Sequence, residues 1–193
     1  MRRVHVLVAL LAVLAACSGG DVTLEIDVLS FLNDGGDRPD PGADYAVPVP
    51  PTGVFVQGVP IVEATSFQLV DAIDEVTVVE EGQLNYRLEA VNREGSADAR
   101  IRVRLAATRE GLDEPGAALP EIDVALWPDS TTSAEGTVGL ADTTVEVFAN
   151  DRVWVEIEAD LRVDPGQVLA DSLAGRLWIR GLDVRIVAGE DFF

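Results

Sequence analysis

Few residues of this chain have the type and spacing to do chemistry. Its 193 residues carry 34 acidic and 14 basic side chains, and every basic one is Arg. The sole His is His5 and the sole Cys is Cys17. One Cys cannot close an internal disulfide, and neither a His/Cys zinc set nor a Schiff-base Lys can be assembled. Beyond residue 17 there is no His or Cys for a nucleophile pair.

Three constellations remain. Asp34, Asp37, Asp40 and Asp44 punctuate a Gly- and Pro-rich stretch, NDGGDRPDPGAD at residues 33–44. Oxygen ligands in such a loop suit Ca²⁺, which takes six to eight of them, although the spacing is not that of an EF-hand. Trp127, Trp154 and Trp178 stand out of phase with their apolar neighbours. Period-two alternation therefore places them on the face that carries Glu156 and Arg180, where they could stack on a glycan or a protein partner. Paired carboxylates, the third set, suffice for glycoside hydrolysis. With 34 acids, some pair always stands at the right separation, so the pattern selects no site. The expectation is a non-catalytic domain with no cofactor apart from Ca²⁺ at the Asp loop.

The N-terminus is more specific. Residues 1–17 read MRRVHVLVALLAVLAAC. Arg2 and Arg3 precede an apolar run too short to cross a bilayer, which needs about 20 residues. That is the form of a secretory signal. Leu14-Ala15-Ala16-Cys17 resembles the lipobox of bacterial lipoproteins. The resemblance implies cleavage before Cys17 and acylation of its sulfur and amine. It implies residence in the cell envelope, and in the outer membrane if Ser18 acts as a sorting residue. Two or three acyl chains anchor a protein far more firmly than one.

The formal net charge is −20. No basic patch exists for nucleic acid. An anionic membrane surface would repel the body of the chain, so the lipid must hold it there. The implied partners are the membrane through Cys17 and an envelope protein or glycan.

The elements that position these residues are strands. Val22, Leu24, Ile26 and Val28 alternate with polar residues from the fifth residue after Cys17. Residues 45–53 hold three Pro and must run extended along an edge. Residues 54–62, 66–70 and 75–79 read as short extended pieces. Leu84, Tyr86, Leu88 and Ala90 share one face, as do Ile101, Val103 and Leu105. A turn at residues 92–96 predicts a hairpin between these two runs. Arg100, Arg102 and Arg104 point outward, toward a carboxylate row such as Glu156 and Glu158, or Glu89. Strands are also expected around Ile122–Leu126, residues 137–140, 143–148 and 152–163. A short helix is expected over residues 167–174. Residues 177–187 then close the domain, bent or bulged at Gly181.

About eight or nine strands with turn signals every 8–12 residues argue an all-β antiparallel sandwich. The run AVNREGSADARIRV (residues 90–103) resembles hairpins of bacterial immunoglobulin-like modules, which implies an immunoglobulin-like sandwich. A lipid-facing barrel fits poorly, because such barrels carry aromatic girdles and this chain is 6% aromatic. The chain divides into a signal peptide (1–16), a lipidated Cys with a short tether (17–20) and one sandwich domain (21–193). The expected role is an anchored structural, assembly or interaction subunit. The alternatives are a glycan- or Ca²⁺-binding module or, last, a carboxylate-based hydrolase.

Overall fold

The computed structural model describes residues 22–49, 54–69, 79–163 and 171–188. Cys17 and the whole leader lie outside these residues, as do most of the expected strand at 75–79 and residues 167–170 of the expected helix.

Nine strands are described: β1 Val22–Asp27, β2 Gly42–Pro48, β3 Phe55–Gln68, β4 Val79–Glu94, β5 Ala97–Ala106, β6 Ile122–Leu126, β7 Ser130–Leu140, β8 Arg152–Val163 and β9 Ser172–Ala188. All the pairings are antiparallel and form two sheets. The first has the order β1-β9-β4-β7, with β2 also on β9; the second has the order β3-β8-β5-β6. β1 and β2 lie end to end along β9, one against residues 183–188 and the other against residues 172–178. Between them sit a short helix, α1 (Val28–Leu32), and the Asp-rich loop. Asp27 caps α1, accepting from the Ser30 N–H at 2.9 Å.

The alternation of the sequence becomes the core. Val153, Val155, Ile157, Ala159, Leu161 and Val163 are all fully buried along β8. They face Leu84, Leu88 and Ala90 of β4 and Leu182, Val184 and Ile186 of β9 across the sandwich, in one apolar cluster. Period two places every second residue inward, so one register serves the whole strand.

The expected hairpin at residues 92–96 is corrected. β4 and β5 are joined by Gly95 and Ser96 alone, yet β4 pairs with β7 and β9 while β5 pairs with β6 and β8. The turn is an arch that carries the chain from one sheet to the other. Gly95 makes it with φ of 72°, and a Cβ there would meet the Ser172 carbonyl oxygen at 2.7 Å. Both apolar rows face inward either way, so alternation alone cannot separate an arch from a hairpin.

The immunoglobulin-like order is corrected with it. That order pairs three sets of consecutive strands, A with B, D with E and F with G. Here, among the described residues, β5 and β6 are the only consecutive strands that pair. The pairs β5·β6, β4·β7, β3·β8 and β2·β9 are nested, so the chain is one long ribbon rolled into a sandwich.

Residues 143–148 form no strand. They make a short helix, α2 (Asp142–Val145), and a 3-10 turn (Glu146–Ala149). Val145 and Phe148 are buried three residues apart, which is helical spacing. Ser172 to Ala174, expected in a helix, begin β9. The expected bulge is present: Arg87 pairs with Gly181 and Leu88 with Ile179, leaving Arg180 as the extra residue.

The rolled ribbon has two ends. Val22, Val79 and Ala188 share one. At the other lie the ends of β2 and β3, β4 and β5, β6 and β7, and β8 and β9. At about 3.3 Å per residue, the 17 residues of β9 separate the ends by roughly 50 Å.

Candidate functional site

The Arg row of β5 meets the carboxylates of β8 as expected. Arg102 lies opposite Glu158 and Arg104 opposite Glu156 in the register. Arg104 Nη1 donates to Glu156 at 2.5 Å, and Arg102 Nη2 donates to both Glu158 and Asp160 at 2.9 Å. Arg100 turns to the other side and pairs with Asp123 at 3.0 Å and Glu121 at 3.1 Å. Those contacts raise its guanidinium above the ordinary value, chiefly through the hydrogen bond to Asp123. Glu89 takes no part in this ladder. It lies on the opposite sheet.

Among the described side chains, those of the Asp loop do not gather. Asp40 accepts from Arg180 Nη1 at 3.1 Å and from Asn33 Nδ2 at 3.3 Å. Asp44, in β2, pairs with Arg176 at 3.5 Å. Asp37 is exposed, and Asp34 opens a 3-10 turn at Asp34–Gly36. Among the described residues no three His, Cys, Asp or Glu side chains converge as metal ligands. The two carboxylates nearest the sheet serve arginines of β9.

The three Trp side chains are also kept apart. Trp154 and Trp178 both point outward, but from opposite sheets, so they share no face. Trp154 packs with Ala64 on a small cluster of Ala106, Leu112 and Ala117, under the loop after β5. Trp178 lies between Arg176 and Arg180, whose guanidinium carbons stand 5.2 and 4.8 Å from its ring centre. Gly42 of β2 sits opposite, and a Cβ there would strike Trp178 Cδ1 at 2.7 Å. Glu89 Oε1 accepts from Arg180 Nη2 at 2.8 Å. The outer face of the first sheet therefore carries a clamp of two arginines, one indole and three carboxylates. Trp127 follows β6 in a turn and is 61% exposed.

Two features escape a reading of the sequence. The first is a buried polar knot. Asn92 is 2% exposed. Its Oδ1 accepts from the Tyr45 hydroxyl at 3.0 Å, and its Nδ2 donates to the carbonyls of Gly95 at 2.7 Å and Trp127 at 3.0 Å. One amide thus ties β2, the β4–β5 arch and the β6–β7 turn together. Burial pushes the Tyr45 phenol up to about 12, so it stays a neutral donor. The second is the far end. Val54, Val56 and Trp127 are the exposed large apolar side chains among the described residues. All three belong to that end, because Val56 registers with Arg162, Arg162 with Asp98, and Ala97 with Leu126.

Comparison with known proteins adds little. No protein-family model matches, and no curated protein does. Among solved structures, the infectious bursal disease virus Gt strain superposes with a TM-score of 0.36 at 11% identity, over 87% of this chain and 36% of that one. The VP2 subviral particle of infectious bursal disease virus gives 0.32 at 12% identity, over 91% and 39%. This chain spans little more than a third of those proteins. At such scores the likeness carries no argument about function.

Proposed function

We propose that this chain is a bacterial envelope lipoprotein whose sandwich is a non-catalytic contact module, an assembly or interaction subunit. The strand order, with one ribbon rolled into two four-stranded layers plus β1, is that of a jelly roll. The observation that carries the functional reading is polarity along the molecule. Cys17, which ends the lipobox-like run, stands five residues before β1, a reach of about 17 Å at full extension. The exposed Val54, Val56 and Trp127 lie at the opposite end, roughly 50 Å away along β9. Acyl chains on Cys17 would hold the near end at the bilayer, and the net charge of −20 would keep the acidic body off an anionic surface. The far end, with Trp127, is then the surface offered to a partner.

The test is mass spectrometry of the N-terminal peptide from the cell-derived protein, with fractionation of a Cys17→Ser variant. The expected outcome is a diacylglyceryl mass on Cys17 and release of the variant from the membrane fraction. An unmodified thiol, or cleavage at another residue, overturns the reading.

A further inference from the structure

We infer that the free edge of β7 accepts an extended strand from a partner polypeptide. The argument compares the sheet edges. Such edges invite pairing with foreign strands, and proteins protect them with proline, charge, bulges, brevity or covering segments. The β1/β2 edge is broken by α1 and its loop, and β2 ends in Pro48. β3 carries Pro60 and two register shifts, between Pro60 and Val62 and between Val62 and Thr65. Phe31 of α1 stacks on its Phe67 at 4.7 Å. β6 is five residues long.

Among the described residues β7 has no proline, bulge or covering segment, and it is not short. It runs eleven residues, STTSAEGTVGL, in unbroken register with β4 from Gly82↔Leu140 to Asn92↔Ser130. It contains no Pro and no Arg, and Glu135 is its one charge. Among the described residues only β4, its sheet neighbour, and β6, joined to it by the turn, make more than slight contact with it. A strand with one neighbour leaves about half its N–H and C=O groups pointing away from the sheet.

The occupant follows from the side chains. Thr132, Ala134, Gly136, Val138 and Leu140 form the half-buried inward row. An added antiparallel strand would cover that row with apolar residues of its own. At Gly136 the row is already covered from the β4 side: Tyr86, its cross-strand partner, lies over it, and a Cβ there would meet the Tyr86 hydroxyl at 2.7 Å. Glu135, on a chain of net charge −20, calls for a cation opposite. A second copy of this chain is a poorer occupant. Symmetric pairing centred on Glu135 sets that carboxylate against itself. Any antiparallel β7–β7 pairing also inverts one long axis, which two tethers in one membrane forbid. That last step rests on the anchored reading above; the edge argument does not.

The probe is the synthetic peptide GQLNYRLEAVN, this chain's own residues 82–92, which in the native register sets Arg87 opposite Glu135. Hydrogen exchange of the full-length, detergent-solubilised lipoprotein reads the amides of β7. About half should exchange quickly alone and slow at least tenfold with peptide. A peptide with Glu in place of its Arg should bind at least fivefold more weakly, and Glu135→Arg in the protein should reverse that order. Ala134→Lys should abolish the protection while leaving the circular dichroism spectrum unchanged. Failure of millimolar peptide to slow β7 exchange in folded wild-type protein overturns the proposal. So does a dimer in sedimentation that protects β7 without peptide, because the edge is then occupied by a second copy. Absence of lipid on Cys17 would remove the anchor and leave the exchange result standing.

Discussion

The two outer faces of the sandwich use the same residue types in opposite ways. On the second sheet, arginines at every second position of β5 meet carboxylates at every second position of β8. One register supplies each partner, and the pairing repeats along the strand. On the first sheet, Arg176 and Arg180 flank Trp178, and their carboxylates come from three segments: Asp44 in β2, Asp40 in the loop and Glu89 in β4. The bulge at Arg180 interrupts the period there. The ladder is a product of periodicity. The clamp is a product of topology, and it pins a loop that regular pairing would leave free.

The largest effect that would sharpen this contrast lies beneath the clamp, at Asn92. Asn92→Ala removes three hydrogen bonds, each of about 1 kcal/mol, and leaves the buried Tyr45 hydroxyl unsatisfied at about 1–3 kcal/mol more. The expected loss is about 3–5 kcal/mol by urea denaturation. Tyr45→Phe in the Asn92→Ala background should recover part of it, because no orphaned hydroxyl then remains. A loss under 1 kcal/mol would mean that the first sheet does not depend on the knot.

What was legible in the sequence follows the same division. Alternation located β1, β5, β6 and β8, the inward row of β4, and the β5–β8 ion pairs, since each needs only the period and its phase. The bulge was legible because Gly181 interrupts two apolar runs that cannot share one phase. The sheet to which each strand belongs was not legible. Gly95-Ser96 suits an arch as well as a hairpin, and the choice depends on which strands lie across the sandwich. Asp40 and Arg180 stand 140 residues apart, so no local pattern joins them. The arginines that take Asp40 and Asp44 lie on the last strand, so nothing within the Asp loop's own sequence announces them. The outward phase of Trp154 and Trp178 is legible in the alternation, but phase does not say which sheet a strand occupies. Asn92 looked like an ordinary turn residue, since burial of a turn amide leaves no mark in the local sequence.

A middle-sized effect separates clamp from ladder. Arg180→Met leaves Asp40 and Glu89 without their shared cation and removes one guanidinium from Trp178. The expected loss is about 1–2 kcal/mol, on the scale of a partly buried ion pair plus a cation–π contact. Amides of residues 33–41 should exchange faster, because Asp40 no longer holds the loop to the sheet. Arg102→Met also strips two carboxylates of their cation, yet both lie on β8, which is held by eleven registered pairs with β3 and nine with β5. Its expected loss is about 1 kcal/mol or less, with no segment opening. Equal exchange changes in the two variants would break the distinction.

The smallest effect tests a place where the first sheet's outer face works against itself. Asp183 and Asp27 are direct cross-strand partners on β9 and β1, and like charges in that position repel. Partial burial raises the Asp183 carboxyl above the ordinary value of 3.8, with the Asp27 charge next in size, while Arg87 acts in the opposite direction. In the unfolded chain the group releases its proton near 3.8; in the folded chain it holds the proton to higher pH. Between those two values the folded state binds more protons, so this group's contribution to stability falls as pH rises through the window. Asp183→Asn keeps the shape and removes the titration. The variant should gain on the wild type as pH rises above 3.8 through the raised folded-state value, and the two stability curves should run parallel above that. The described register of β5 and β8 holds no comparable pair, since Arg100, Arg102 and Arg104 stand opposite Asp160, Glu158 and Glu156.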